Sequence, residues 1–123
     1  MKNRLSRYYN TEISYLDDID EFFTWQISHD SSIISIGQEV KNILGFDTKE
    51  LKNKNIKDLM VGFSGQKFQE NIFKSNENNM RNYHEDILCN TKRGENIMLC
   101  FCVIPIINDN DDLIGFEGIA YKK

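Results

Sequence analysis

The segment Tyr83-His84-Glu85-Asp86 places acid and base side chains next to one another, as general acid–base catalysis would require. It lies in strand-like sequence, and neighbouring side chains of a strand point to opposite faces of the sheet. His84 and Glu85 therefore cannot act on the same substrate atom, and only Tyr83 with Glu85 or His84 with Asp86 could share a face. The sequence shows no nucleophile paired with a base and no phosphate-binding loop. We predict that this chain is not an enzyme.

The three cysteines, Cys89, Cys100 and Cys102, are the other side chains with reactive potential. All three lie in apolar strand sequence, where burial should raise the thiol pKa and leave the thiols unreactive. Cys100 and Cys102 point the same way with Cα atoms about 6.5 Å apart, a poor geometry for a disulfide. The spacing of cysteines and histidines matches no zinc motif, and Asn108 to Asp112 lacks the glycine and glutamate of a calcium loop. The sequence predicts no metal site.

Length, charge and cysteine content narrow the class of protein. A chain of 123 residues is long enough for one domain that buries a core without disulfides or metals. A net charge of −4 and a pI near 5.1 disfavour a nucleic-acid surface, which needs clustered Lys and Arg. Three cysteines without a signal-peptide pattern favour a reduced, cytoplasmic protein. The longest apolar run, Ile97 to Ile107, is far shorter than the roughly 20 residues of a membrane helix, so we expect no membrane contact by this segment.

The clearest predicted element that could position these side chains is a strand. It covers the apolar run Ile97 to Ile107, which contains no polar side chain. A half-solvated antiparallel strand alternates apolar and polar residues, so an unbroken apolar run implies cover on both of its faces. Two further strand-like runs, Tyr83 to Cys89 and Leu113 to Tyr121, flank it and are joined to it by polar turns. The last third of the chain is therefore predicted to form three antiparallel strands.

The middle of the chain predicts a hairpin and several short helices. The strand pair covers residues 23–28 and 33–36, and the helices cover residues 40–44, 47–51 and 66–75. Gly45 should end the first of these helices, Asp47 with Glu50 forms a capping box for the second, and Asn76 to Asn82 reads as a loop. Helices between two β-blocks indicate an α+β domain with a five-stranded antiparallel sheet and short helices on one face.

Residues 1–20 are predicted to form a separate amphipathic helix before this domain. Their apolar positions recur at helical spacing among polar residues, at Leu5, Tyr9, Ile13 and Leu16. This stripe is the unassigned apolar surface that is large enough to cover the second face of the sheet. We therefore expect the leading helix, of the same chain or of a partner subunit, to lie on that face and to form a homodimer.

Three short segments stand out by their order and spacing. Residues 43–51 read Ile-Leu-Gly-Phe-Asp-Thr-Lys-Glu-Leu, and residues 92–95 read Lys-Arg-Gly-Glu. The third segment joins Val103 to Asp109 with Leu113 to Ile119. Together they resemble the helix junction, the hairpin turn and the closing hairpin of the PAS domain, the sensory module attached to many bacterial histidine kinases and diguanylate cyclases. The resemblance assigns residues 21–123 to such a domain.

The resemblance implies an apolar pocket between the sheet and the short helices. Leu99, Phe101 and Val103 would point into it from the apolar strand, whereas Cys100 and Cys102 would face the leading helix. We predict a pocket lined by Ile43, Phe46, Leu59, Phe63, Phe68, Ile72, Phe73, Cys89, Leu99, Phe101, Val103 and Ala120. The predicted dimer interface consists of Leu5, Tyr9, Ile13, Leu16, Cys100 and Cys102.

Two cofactors of the family are disfavoured by the residues at the corresponding positions. Light-sensing members hold flavin with strand amides and a helix cysteine, but those strand positions are Cys89, Leu99 and Ala120, and no cysteine precedes Cys89. Haem-binding members use a histidine on the long helix before the third strand, and residues 66–75 contain none. We expect the ligand, if there is one, to be a small apolar molecule.

The function implied by the resemblance is regulatory. We expect a signal-transduction module that binds a small ligand or dimerises, and thereby regulates an output domain such as a histidine kinase or a diguanylate cyclase. The alternative is an interaction module whose pocket is filled by its own side chains and which only pairs subunits.

Overall fold

The computed structural model describes residues 21–77 and 83–122. The five strands are β1 (Phe22–Ser28), β2 (Ile33–Ile36), β3 (Tyr83–Asn90), β4 (Asn96–Ile107) and β5 (Leu113–Lys122). Between β2 and β3 lie α1 (Val40–Leu44), α2 (Thr48–Leu51), a 3₁₀ helix (Ile56–Leu59) and α3 (Ser64–Glu77). The predicted α+β fold with a five-stranded sheet is confirmed, whereas the helix predicted within residues 1–20 lies outside the described residues.

The strand order β2-β1-β5-β4-β3 places the last strand in the middle of the sheet. All neighbouring strands are antiparallel, so β5 pairs with β1 on one side and with β4 on the other. In this register, Gly118 of β5 lies opposite both Trp25 and Val103. A Cβ atom at Gly118 would lie 1.7 Å from the carbonyl oxygen of Cys102, so only glycine fits there without a backbone shift.

The two faces of the sheet bury different side chains. Every second residue of β1 is buried against the helices, as its alternating sequence predicts. In β4, Leu99, Phe101 and Val103 belong to this inner cluster, whereas Cys100 and Cys102 belong to a separate outer cluster and are also buried. Both faces of β4 are therefore covered. The outer cluster consists of strand residues, and no residue of the described helices belongs to it.

The junction of α1 and α2 brings two of the recognised sequence segments together. Gly45 ends α1 with a φ of 89°, a left-handed conformation that favours glycine, and the backbone of Asp47 donates to Glu50 Oε1 at 2.9 Å in the predicted capping box. Lys92, in the β3–β4 turn, donates its backbone N–H to the carbonyl of Leu44 at 2.8 Å. Its Nζ lies 2.9 Å from both carboxylate oxygens of Glu50. The hairpin turn is thereby fastened to the helix junction.

The long helix α3 extends beyond its predicted bounds at both ends. It continues to Glu77, so the prediction that the loop begins at Asn76 was wrong by two residues. The hydroxyl of Ser75 donates to the carbonyl of Ile72 at 2.8 Å, which satisfies this buried polar group within the last turns of the helix. Within residues 21–77 and 83–122, no helix is both long enough and apolar enough to span a membrane.

Candidate functional site

Three aromatic rings fill the space between the sheet and α3. Trp25 comes from β1, Phe68 from α3 and Phe101 from β4, and all three side chains are fully buried. The ring centroids lie 5.9 Å apart for Trp25 and Phe101, 5.4 Å for Phe68 and Phe101, and 6.4 Å for Trp25 and Phe68. These are distances of direct aromatic packing. The centre of the predicted pocket is therefore occupied by side chains of the protein itself.

The indole N–H of Trp25 is the polar group within this aromatic packing. Among the described residues, its Nε1 atom is buried and has no hydrogen-bond partner. A buried donor without an acceptor costs about 1–3 kcal/mol, because the group has lost its water and gained nothing in return. An acceptor atom placed beside Trp25, from a small molecule or from water, would offset this cost.

A groove of about 570 Å³ opens on the helical side of the domain. Phe46, Leu51 and Leu59 supply its apolar surface and also pack in or against the inner cluster. Its polar lining comes from Glu50, Lys54, Asn55 and Asp58. This volume lies in the range of small-molecule sites, and the mixed lining suits a molecule with an apolar body and a polar group.

The structure places most of the predicted pocket residues in one buried cluster. Its buried members from that set are Ile43, Leu59, Phe68, Ile72, Cys89, Leu99, Phe101, Val103 and Ala120, and Phe46 and Phe73 pack against them. Phe63 is the exception, since its side chain is 87% exposed. It lies in the turn just before α3, where its carbonyl accepts from the backbone of Lys67, and its ring points away from the core. The placement of Phe63 in the pocket was wrong.

The residues with acid and base side chains lie on two faces of β3, with Tyr83 and Glu85 on one face and His84 on the other. The hydroxyl of Tyr83 donates to Glu85 Oε1 at 2.8 Å, and Asn71 of α3 donates to the same oxygen at 3.2 Å. Burial, together with this bond to Glu85, raises the pKa of Tyr83 to about 12. His84 points to the other face, where its Nδ1 lies 3.5 Å from Cys102 Sγ. Tyr83 and Glu85 thus share a face, as predicted, and join α3 to β3.

A second group of side chains meets on the outer face of β3 and β4. The antiparallel register places His84 opposite Cys102 and Asp86 opposite Cys100. The ligand atoms of His84, Cys100 and Cys102 all lie within 4.8 Å of one another. Spacing along the chain did not reveal this group, because two of its members lie on a different strand from the third. Only the register of the hairpin brings them together.

The pKa values of the three thiols are shifted in different directions. Burial raises the pKa of Cys89 to about 12, as predicted for an apolar strand. The interaction between the side chains of Cys100 and Cys102 lowers the pKa of Cys100 and raises the pKa of Cys102. The expectation of a raised pKa therefore holds for Cys89 and Cys102 and was wrong for Cys100. The partner thiol, which sequence periodicity placed on the same face, is the cause.

A family model described as a PAS domain matches residues 20–120, which is most of the chain. The chain belongs to the PAS domain family. A comparison with curated proteins gives no match. A PAS domain is a sensory module, so the aromatic interior, the groove and the outer-face group are features of a sensory domain.

Solved structures share the PAS fold at low sequence identity. The PAS domain of a protein from Colwellia psychrerythraea has a TM-score of 0.76 and 16% identity, covering 83% of this chain and 86% of that chain. The N-terminal domain of a diguanylate cyclase with a PAS/PAC sensor from Marinobacter aquaeolei has a TM-score of 0.71 and 14% identity, with 83% and 94% covered. A PAS domain from a two-component sensor histidine kinase has a TM-score of 0.67 and 12% identity, with 89% and 91% covered.

Proposed function

We propose that this PAS domain is the sensory module of a signalling protein and couples the binding of a small molecule to an output domain. The output domain would be a histidine kinase or a diguanylate cyclase, since similar structures come from proteins of both kinds. A coupling free energy of about 1–3 kcal/mol changes output several-fold, which is within reach of one small ligand. The three free thiols fit a reducing compartment, so we place the domain in the cytoplasm.

The observation that carries the ligand proposal is the unpartnered indole N–H of Trp25 inside the apolar core. A ligand with an apolar body and one acceptor atom would satisfy this donor while packing against Phe68 and Phe101. The apolar surface of the groove, at Phe46, Leu51 and Leu59, belongs to the same continuous cluster as Trp25. A molecule could therefore enter beside the 3₁₀ helix and reach the core by displacing side chains.

Native mass spectrometry of the full chain, purified without denaturant or organic solvent, tests this proposal. We expect a retained molecule in the wild type and its loss in Trp25→Phe, which removes the N–H donor. Phe68→Leu is the matched control, because it loosens the same aromatic packing but keeps the donor, and it should retain the molecule. Circular dichroism establishes that both variants are folded. A wild-type mass equal to that of the bare chain would contradict ligand binding.

A second candidate function, subunit pairing without a ligand, is favoured by two observations. The packing of Trp25, Phe68 and Phe101 leaves the interior filled, and the outer cluster around Cys102 is buried without a contribution from the described helices. In this version the leading helix within residues 1–20 lies on the outer face and forms the homodimer. Sedimentation analysis should then give a dimer that is lost on deletion of residues 1–20. A monomer at all concentrations would contradict pairing.

A further inference from the structure

We propose that His84, Cys100 and Cys102 form a binding site for a thiophilic divalent metal ion of the zinc type on the outer face of the sheet. One ligand comes from β3 and two come from β4, and the three donor atoms all lie within 4.8 Å of one another. The site is separate from the aromatic interior, because the β4 residues that line that interior point to the opposite face. The proposed metal site does not depend on whether the domain binds a ligand in the aromatic interior.

The geometry of the three donors is close to that of a tetrahedral zinc site. With Zn–S near 2.3 Å and Zn–N near 2.0 Å, donor atoms around a tetrahedral ion lie about 3.5–3.8 Å apart. Cys102 Sγ and His84 Nδ1 are already 3.5 Å apart. Because the donor atoms lie within 4.8 Å of one another, Cys100 needs to approach by at most about 1.3 Å to complete the set, a distance that side-chain rotation covers. The strand register already places the three residues together on one face.

The chemistry of the donors selects the class of metal ion. Two thiolates and an imidazole are ligands for zinc and other thiophilic ions, whereas calcium and magnesium require oxygen ligands. Asp86 lies opposite Cys100 on the same face as His84, so its carboxylate adds negative charge beside the two thiols. That charge favours a nearby cation. A carboxylate oxygen or a water molecule would take the fourth position of the tetrahedron.

The surroundings of the site would stabilise a bound ion and would also leave a side from which the ion can enter. Cys100 and Cys102 are buried beside Ile119 in an apolar cluster, where low polarity strengthens the attraction between thiolates and a cation. His84 is exposed and marks the side from which an ion could arrive. Binding would fasten β3 to β4 through their side chains. It would thereby make the outer face responsive to metal concentration.

Cobalt binding to the full chain, prepared without a polyhistidine tag and with its thiols reduced, tests the site. A Co²⁺ ion bound by cysteine gives a sulfur-to-metal charge-transfer band whose strength follows the number of thiolates. We expect one Co²⁺ per chain, a band typical of two thiolates, and displacement of the band by one equivalent of Zn²⁺. In C100S/C102S the band should disappear although Cys89 remains.

The variants His84→Asn and His29→Asn form a matched pair for the third ligand. Both histidines are exposed, so both variants should keep the fold, which circular dichroism checks. Loss of the imidazole at residue 84 should weaken Co²⁺ binding at least about tenfold while the band remains, because both thiolates are still present. His29→Asn should bind like the wild type.

Two results would overturn the proposal. The first is a wild type without a charge-transfer band, or with a band that persists unchanged in C100S/C102S. The second is equal affinity in His84→Asn and His29→Asn, since this would mean that His84 is not a ligand.

Discussion

Tyr83 is the residue whose ionisation should be most visible in the stability of the domain. Its hydroxyl is partly buried and donates to Glu85 at 2.8 Å, and its pKa is raised to about 12 from the ordinary value of 10.0. The folded protein therefore binds this proton more tightly than the unfolded chain does. The resulting stabilisation is complete below pH 10 and is lost as the pH rises towards 12.

We predict that the free energy of unfolding of the wild type falls between pH 10 and pH 12 by more than that of Tyr83→Phe. The variant has no hydroxyl to ionise, so this contribution is missing at every pH. Urea unfolding at a series of pH values measures the difference, and tyrosinate absorbance follows the ionisation itself. Parallel pH profiles for the two proteins would show that folding does not raise the pKa of Tyr83.

Two phenylalanines in the same segment of chain separate core packing from surface exposure. Phe68 is completely buried, whereas Phe63 is 87% exposed. We predict that Phe68→Ala lowers the free energy of unfolding by about 3–5 kcal/mol and that Phe63→Ala changes it by less than about 0.5 kcal/mol. Chemical denaturation gives both values. Similar costs for the two variants would mean that Phe63 packs in the core after all.

At the scale of the elements, β5 depends on glycine because it lies between two strands in close contact. A Cβ atom at Gly118 would lie 1.7 Å from the carbonyl oxygen of Cys102, a backbone atom that cannot rotate away. We predict that Gly118→Ala destabilises the domain by at least about 2 kcal/mol through displacement of β4. Thermal and chemical unfolding measure this loss.

Gly94→Ala is the matched control for this effect. Gly94 has a φ of 93°, but a Cβ atom added there would meet no other atom within 4 Å, so the cost of the variant is the backbone strain of an alanine at positive φ, without a clash. That strain costs about 1–2 kcal/mol. A cost for Gly118→Ala no greater than that for Gly94→Ala would contradict the tight packing of β5 between β1 and β4.

The sequence predicted the helices and strands better than it predicted the contacts between them. Periodicity identifies which side of β4 each residue faces, because alternation is a property of one strand. The approach of His84 to Cys102 depends instead on the register of β3 and β4, which the turn between them sets. Phe63 was misplaced for a related reason, since an apolar residue in a turn has no periodic neighbours that indicate its direction. Contacts between residues of different strands, and the directions of side chains in turns, could therefore be read only from the structure.

At the scale of the whole molecule, β4 contributes side chains to two separate clusters, one on each face of the sheet. Phe101 and its inward neighbours contact the aromatic interior, and Cys100 and Cys102 lie in the outer cluster. A ligand that moves the backbone of β4 would therefore displace the outer face as well. The proposed metal site and the predicted dimer interface share both cysteines, so metal binding and subunit pairing should influence one another.

The most direct test of the central claim uses the indole resonance of Trp25, the only tryptophan in the chain. A ¹H–¹⁵N correlation spectrum should contain a single indole cross-peak. We expect that peak at a hydrogen-bonded position in protein purified gently, and at a different position after unfolding in denaturant, dialysis and refolding, which remove a bound molecule. An ordered water would return on refolding. An identical indole peak in both preparations, with the rest of the spectrum restored, would contradict the claim that a small molecule satisfies Trp25.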